Sequence, residues 1–151
     1  MQEMALDPSL RSPNGFLSSL ADDDFELIRP YLRTVDLLQD SVLAEAGEKL
    51  TRIYFPHRGV ISLVVNLARG ERVQIGMIGR DSFFGSMSLL SGDPVVLNSA
   101  AVIVPGTASV VDVDRMRTAA EQSAAFRSLM YRHALAIYVQ SQQTARGSME
   151  P

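Results

Sequence analysis

The sequence predicts a single mainly β domain, an antiparallel sandwich or barrel with helices at both ends. Seven short runs of strand-forming residues lie between Thr34 and Val113, and turn residues separate them at short intervals. Helical patterns precede and follow this region. Strands that follow one another so closely, without helices between them, favour antiparallel pairing over a parallel βαβ sheet.

The segment before the strands is predicted to be a loose arm followed by a short helix. Residues 1–13 are mostly polar and contain two prolines, so we expect a flexible arm. Asp22–Asp24 place three carboxylates at the amino end of the helix, where negative charge suits the helix dipole. Pro30 is expected to bend or end this helix.

Glycine- and proline-containing segments are interpreted as the turns between strands. Gly59 and Pro105–Gly106 are two such segments, each predicted to separate one strand from the next. The predicted strands are Thr34–Leu38, Val42–Ala44, Leu50–Phe55, Val60–Leu67, Arg72–Ile78, Leu97–Val104 and Thr107–Val113.

Two helices are predicted after the last strand. Asp114 is expected to cap the first, which ends near Gln122, and Ser123 to cap the second, Ala124–Arg146. Gly147 is expected to stop the second helix. The chain then divides into an arm (1–13), a barrel domain (14–122), a long helix (123–146) and a tail (147–151).

The composition argues against several classes of function. The 151 residues include no cysteine, which excludes disulfides, thiol catalysis and the usual zinc frameworks. The net charge of −3 offers no basic surface of the kind that dominates nucleic-acid binding. No signal-peptide pattern and no apolar segment of about 18 residues is present, so we expect a cytoplasmic location without membrane contact.

No catalytic or metal-binding set is recognisable, and we expect neither enzyme activity nor a cofactor. The two histidines, His57 and His133, have no acidic partner at ligand spacing. His57 is expected to be exposed in a turn, and His133 to pack in the middle of the long helix. The sequence has no nucleophile elbow, no Walker motif and no His-Glu-x-x-His motif.

The stretch from Phe83 to Ala101 raises the main functional question. A turn glycine, Gly85, opens a short helix, and backbone amides at such a helix start can hold a phosphate. Yet the 34 residues between Arg80 and Arg115 contain no basic side chain. The candidate pocket residues are Phe84, Gly85, Ser86, Met87, Ser88, Val95, Val96 and Ser99. The alternative is that the serines cap a degenerate phosphate-binding segment and that the phenylalanines pack in the core.

The long helix carries two neighbouring rows of residues, which predict a parallel homodimer. A single apolar face is enough to dock a helix on its own barrel, so a second row leaves surface for a partner. The second row is Leu129, His133, Ala136 and Gln140. The predicted dimer interface consists of Phe126, Met130, His133, Ala134, Ile137 and Ser141. The alternative is a monomer in which both rows lie against the same barrel.

The order of these elements, with the glycines where they fall, resembles the effector domain of the cyclic-AMP-receptor and fumarate–nitrate-regulator (CRP/FNR) family of bacterial transcription factors. The resemblance spans residues 14–145 and implies an antiparallel jelly-roll barrel, a double-stranded β-helix of the cyclic-nucleotide-binding type, with a long C-terminal dimerisation helix. The motifs that carry it are Asn14–Leu17, Leu43–Gly47, Ile53–Leu63, Gly76–Gly85 and Val104–Ala108.

The resemblance also shows where this sequence departs from the cyclic-nucleotide binders. Their phosphate-binding cassette is similar to Phe-Gly-Glu, a short helix and then Pro-Arg; the glutamate accepts from the ribose hydroxyl and the arginine pairs with the cyclic phosphate. Here Gly85 is kept, Ser86 stands at the glutamate position, and Pro94 is followed by Val95. Because a lost charge-assisted hydrogen bond costs about 1.5–3 kcal/mol, we expect no cyclic AMP binding at micromolar affinity.

The function implied by the resemblance is that of an effector-sensing and dimerisation domain of a transcription regulator. An effector in the barrel shifts the packing of the long helix and so moves attached DNA-binding heads. In the family these heads are helix-turn-helix modules that follow the long helix, so we expect DNA contact only through a module absent from this sequence. Whether the chain is naturally short, and whether an unknown small-molecule effector exists, stay open. The alternative is a stand-alone cyclic-nucleotide-binding-like protein that regulates a protein partner or binds a small ligand.

Overall fold

The computed structural model describes residues 12–90 and 95–149 and confirms an antiparallel β fold flanked by helices. Most of the predicted arm, residues 1–11, lies outside the described residues, as do 91–94 and 150–151. In chain order the elements are α1 (Gly15–Ser19), α2 (Asp22–Glu26), a 3₁₀ turn (Arg29–Tyr31), β1 (Arg33–Leu37), β2 (Val42–Ala44), β3 (Arg52–Asn66), β4 (Arg72–Ile78), α3 (Ser86–Leu90), β5 (Ser99–Asp112), α4 (Val113–Gln122) and α5 (Ala124–Met149).

The described strands form one antiparallel sheet built around β3 and β5. The strand order is β1-β5-β3-β4, and β2 pairs with a different part of β5 than β1 does. Residues 106–110 of β5 pair with β1, whereas residues 100–101 pair with β2. Two long strands with shorter strands paired along their length give the jelly-roll arrangement expected from the resemblance.

The prediction of seven strands is wrong in two places, where one long strand replaces two short ones. β3 runs through Gly59, and β5 runs through Pro105 and Gly106. The register between the two strands shifts on both sides of Gly59, so these glycines mark a bulge and not a turn. Gly59 has a φ of +96°, and a Cβ there would lie 2.6 Å from the carbonyl oxygen of Val104. Glycine therefore allows the two backbones to approach closely while the strands bend.

The N-terminal segment is fixed to the barrel by Asn14, whose side chain is fully buried. Its Nδ2 donates to the carbonyl oxygens of Pro56 at 2.9 Å and of Ser82 at 2.8 Å. Its Oδ1 accepts from the backbone N–H of Leu17 at 3.1 Å and so caps α1. One side chain thus joins α1, β3 and the segment that leads to α3. The next helix, α2, begins with the three aspartates as predicted, and Pro30 lies in the 3₁₀ turn that follows it.

The helices after the last strand form where predicted, with one change in their caps. Ser123 caps α5, because its Oγ accepts from the backbone N–H of Phe126 at 3.1 Å. Asp114 does not cap α4 as predicted, since the N-cap position belongs to Asp112. Asp114 instead lies in the first turn, where its charge still suits the helix dipole.

The long helix α5 is longer than predicted. It continues past Arg146 and through Gly147 to Met149, so Gly147 does not stop it. A glycine inside a helix costs about 1 kcal/mol relative to alanine, and this cost weakens a helix without ending it.

Four fully buried phenylalanines form the centre of the core. The ring of Phe16 lies 4.6 Å from that of Phe83, 5.9 Å from that of Phe55 and 6.1 Å from that of Phe126, measured between centroids. The Phe16–Phe126 pair is edge-on, a favourable arrangement for aromatic rings. Since these residues come from α1, the segment before α3, β3 and α5, the cluster holds both helical ends of the chain on the barrel.

The close approach of β3 and β5 leads to a prediction for Gly106→Ala. A Cβ at Gly106 would overlap the carbonyl oxygen of Arg58, which is backbone and has no freedom to move aside. We expect the free energy of unfolding, measured by urea denaturation, to decrease by about 2–3 kcal/mol. Gly79→Ala is the matched control, because a Cβ there meets nothing within 4 Å, and its effect should stay below about 0.5 kcal/mol. Equal effects of the two substitutions would contradict this account of the bulge.

Candidate functional site

The candidate site begins where the chain leaves the barrel just before α3. The backbone N–H of Phe84 donates to the carbonyl of Tyr54 at 2.8 Å, and that of Tyr54 donates back to Phe84 at 3.3 Å. Gly85 follows with a φ of +109°, and a Cβ there would overlap the Ile53 side chain. Glycine is therefore needed for α3 to start so close to β3. The turn glycine and the short helix of the predicted cassette are both confirmed.

The predicted serines of the site are all buried. Ser86 and Ser88, on α3, are 2% and 4% exposed. Ser99 lies at the start of β5, where its Oγ donates to a carboxylate oxygen of Glu45 and accepts from the N–H of Ala46, both at 2.9 Å. The hydroxyl of Ser99 thus forms hydrogen bonds with the segment after β2, and we assign Ser99 a structural role.

A cavity of about 20 Å³ lies at the start of α3, beside Gly85 and Ser86. We call it the cassette cavity; its nine lining residues include Phe84, Gly85, Ser86, Ser88, Asn98 and Ile137, and none of the nine is charged. One water needs about 10–15 Å³, so the cavity has room for a water molecule and none for a nucleotide. Val95, Val96 and Ser99 do not line it, and the side chain of Met87 lies outside the described residues.

Asn98 and Ile137 are lining residues that were not assigned to the pocket from the sequence. Asn98 lies in the predicted strand after the cassette, and a polar residue within such a run was the available signal. Ile137 lies on α5, and nothing in its local sequence indicates that it reaches α3. The long helix therefore contributes directly to the wall of the cassette cavity.

The apolar stripe of α5 packs on the barrel of its own chain. Four residues assigned to the dimer interface are at most 7% exposed in the single chain: Phe126, Met130, Ala134 and Ile137. In the single chain these four residues therefore face its own barrel, and their part in a dimer interface stays a prediction. His133 is half-buried beside them, and the side chain of Ser141 lies outside the described residues. An apolar stripe needs a partner, and the barrel of the same chain is the partner it finds.

A different face of α5 is exposed, and it is rich in large side chains. Tyr131, Leu135 and Tyr138 are 43%, 57% and 42% exposed, and Gln142 follows them on the same face. Their spacing of four, three and four residues is the heptad spacing of a coiled-coil seam. We call these four residues the α5 seam. Neither row identified from the sequence includes any of them.

Both histidines are more enclosed than ordinary surface residues. The ring of His133 stands edge-on to Phe16, with centroids 5.0 Å apart. Burial lowers the pKa of His133, the nearby charge of Arg132 lowers it further, and Asp81 raises it.

His57 lies within β3 and not in an exposed turn as predicted. Its Nε2 is 2.6 Å from the hydroxyl oxygen of Ser109, and its Nδ1 is 3.3 Å from that of Thr107. Burial lowers the pKa of His57 as well.

Two further features are absent from the described residues. In that part of the chain, no group of three or more His, Cys, Asp or Glu side chains is placed to hold a metal ion. None of the helices described there is long and apolar enough to cross a membrane.

The barrel, the turn glycine with its short helix, and the long helix that closes the cavity define the class of cyclic-nucleotide-binding folds. Residues 34–123 match the sequence model of the family described as the cyclic nucleotide-binding domain. This match covers more than half of the chain, so the chain belongs to that family. None of the curated proteins matches it.

Solved structures with a similar fold include transcription regulators. The N-terminal domain of a transcriptional regulator from Streptomyces coelicolor is 16% identical, with a TM-score of 0.61, and the match covers 93% of this chain and 95% of that one. FixK2 from Bradyrhizobium japonicum is 14% identical, with a TM-score of 0.65, over 74% of this chain and 55% of FixK2. The catabolite activator protein of Thermus thermophilus is 17% identical, with a TM-score of 0.63, over 91% of this chain and 62% of that one. The chain therefore spans about half the length of FixK2, and the likeness concerns the fold.

The two enclosed histidines predict that stability falls in mild acid. Because the pKa values of His57 and His133 are lowered, the native state binds fewer protons than the unfolded chain, whose histidines titrate near 6.5. Stability is then greatest above the unfolded pKa and is lost as the pH falls towards the folded values. We expect the melting temperature to decrease from about pH 7.5 to about pH 5.5. The double variant His57→Gln/His133→Gln should lose most of this dependence, and an unchanged slope would contradict it.

Proposed function

We propose that this chain is the effector-sensing and dimerisation domain of a CRP/FNR-type transcription regulator that does not respond to cyclic AMP. The observation that carries the proposal is the uncharged cassette cavity of about 20 Å³. A cyclic nucleotide brings a phosphate anion that has to be buried at this place. The cavity offers it neither space nor a cation.

This sequence lacks the two side chains that contact the nucleotide in the cyclic-nucleotide binders. Ser86 is shorter than the glutamate that accepts from the ribose, and it carries no charge. Val95 stands where those proteins have the arginine that pairs with the phosphate. Loss of one charge-assisted hydrogen bond costs about 1.5–3 kcal/mol, which is a factor of about ten or more in affinity.

Signalling through α5 is supported by its contacts with the cassette. α3 packs against α5, and Ile137 of α5 lines the cassette cavity. A molecule that enlarged this cavity would have to move Ile137, so occupancy of the site and the position of α5 are linked. A shift of the helix between two packed positions is a common way to pass such a signal on.

The second part of the proposal is a parallel homodimer through the α5 seam. Tyr131, Leu135 and Tyr138 are large, exposed and at heptad spacing, which suits helix-to-helix packing across a two-fold axis. Gln142 Nε2 donates to the hydroxyl of Tyr138 at 2.5 Å and orders the polar end of the seam. DNA binding belongs, in this proposal, to a separate helix-turn-helix module, in keeping with the net charge of −3 of this chain.

The first test is titration of the chain with cyclic AMP by isothermal calorimetry at low salt. We expect no binding tighter than a dissociation constant of ~10 μM, because the phosphate has no cation. The double variant Ser86→Glu/Asn98→Arg places an acidic and a basic side chain on the lining of the cassette cavity and should bind more tightly than the wild type. Val42→Arg adds the same charge at an exposed position on β2 and should leave affinity unchanged. Micromolar binding by the wild type would end this part of the proposal.

The second test concerns the oligomeric state, measured by light scattering. We expect a dimeric wild type and a folded monomer for Leu135→Glu, since two glutamates would face each other in the seam. Ala125→Glu is the matched control, because it places the same charge on an exposed position of α5 off the seam. A monomeric wild type, or a dimeric Leu135→Glu variant, would contradict the seam.

A further inference from the structure

A second and much larger cavity lies beside the cassette, lined by the segment that leads into β3. Its volume is about 210 Å³, and it shares only Phe84 with the cassette cavity. Lys49, Thr51 and Arg52 lie along it, so we call it the Lys49 cavity. Since about 10–15 Å³ accommodates one water, this volume accepts a small organic molecule. It lies below the range of about 300–1,000 Å³ typical of sites for larger ligands.

The Lys49 cavity contains the cationic groups that the cassette lacks. Lys49 and Arg52 both line it and are both exposed. Within the described part of the chain, the side chains of these two residues take part in no ion pair or hydrogen bond. Two unpaired cations on one cavity attract an anion, and the planar guanidinium of arginine suits carboxylate and phosphate groups in particular.

The acidic groups nearby are already engaged. Glu48 also lines the cavity, and its Oε1 accepts from the backbone N–H of Glu45 at 2.7 Å. Asp112 is the cross-strand neighbour of Arg52, and it pairs instead with Arg33 at 3.9 Å. The lining itself thus carries two positive charges and one negative charge that has a backbone partner. The balance favours an anionic ligand.

Three buried apolar side chains form part of the remaining wall, beside Thr51 and Tyr54. Leu50, Phe84 and Val96 line it and are 1%, 5% and 2% exposed. A ligand that fits both parts has a charged oxyanion group towards the cations and a compact body towards this apolar wall. Inorganic ions satisfy only the first condition.

We propose that the Lys49 cavity binds a small organic oxyanion, a metabolite that carries a carboxylate or a phosphate ester. The oxyanion is held by Lys49 and Arg52, and the body of the ligand packs on Phe84 and Val96. Binding of this ligand does not depend on the proposed function. The role of the ligand as the effector signal does rest on the proposed function. The sensor then takes its ligand beside the cassette and not within it.

The cavity is connected to both ends of the cassette segment. Phe84 immediately precedes Gly85 and α3, and Val96 follows the segment. Val96 donates its N–H to the carbonyl of Glu48 and accepts from Gly47, both at 2.8 Å, so the exit from the cassette is tied to the cavity wall. A ligand that orders this wall restrains α3 from both sides, and α3 packs on α5.

The test titrates the 151-residue chain with three probes: inorganic phosphate, succinate and 3-phosphoglycerate. We expect at least one of the two organic probes to raise the melting temperature and to bind measurably by calorimetry. Lys49→Gln and Arg52→Gln should each weaken that binding about tenfold or more. Arg72→Gln, at an exposed position on β4, is the matched control and should bind like the wild type. All three residues are exposed, so melting temperatures without probe should stay close to that of the wild type.

The outcomes separate this proposal from the function proposed above. Absence of binding by both organic probes, or wild-type affinity in Lys49→Gln and Arg52→Gln, overturns the Lys49 cavity as a site. Inorganic phosphate that binds as tightly as the organic probes overturns the part played by the apolar wall. Neither result alters the cyclic AMP titration or the oligomeric state, because those tests use variants in the cassette and in the α5 seam.

Discussion

The packing of α5 on the barrel determines both the shape of the cassette cavity and the surface that stays free. Phe126 meets Phe16 in the aromatic cluster near the start of the helix, and Ile137 lines the cassette cavity three turns further along. With this face buried, the neighbouring face, about 100° round the helix, is left to solvent, and it carries Tyr131, Leu135 and Tyr138. One helix therefore both lines the cassette cavity and exposes the α5 seam.

The fold class was predictable because its signals are local, whereas the strand count was not. Gly85 and Ser123 were identified correctly, because a glycine before a short helix and a serine at a helix start can be recognised from the neighbouring residues. Gly59 and Gly106 were misinterpreted as turns because glycine is common both in turns and in β-bulges. What distinguishes them is the distance to another strand, a Cβ position 2.6 Å from a carbonyl oxygen at Gly59. That distance is a property of the assembled sheet.

The face of α5 illustrates a second limit of the sequence. Spacing showed an apolar stripe through Phe126 and Met130, but it did not show whether the barrel or a second copy covers that stripe. The α5 seam went unnoticed because Tyr138 and Gln142 lower its hydropathy, although tyrosine packs well at interfaces. Phe126 is fully buried without a partner chain, so in the single chain the barrel covers this stripe.

The basic side chains near the cassette are also distant from it in the sequence but close to it in the fold. The sequence between Arg80 and Arg115 contains no basic side chain. The fold nevertheless brings Lys49 and Arg52 to the Lys49 cavity, which has Phe84 in its lining as the cassette cavity does. Basic groups more than 30 residues before Gly85 thus lie beside it. The cations that the cassette lacks along the sequence therefore line its neighbouring cavity. Because Phe84 lines both cavities and leads directly into α3, the walls of the two cavities meet at the start of the same helix.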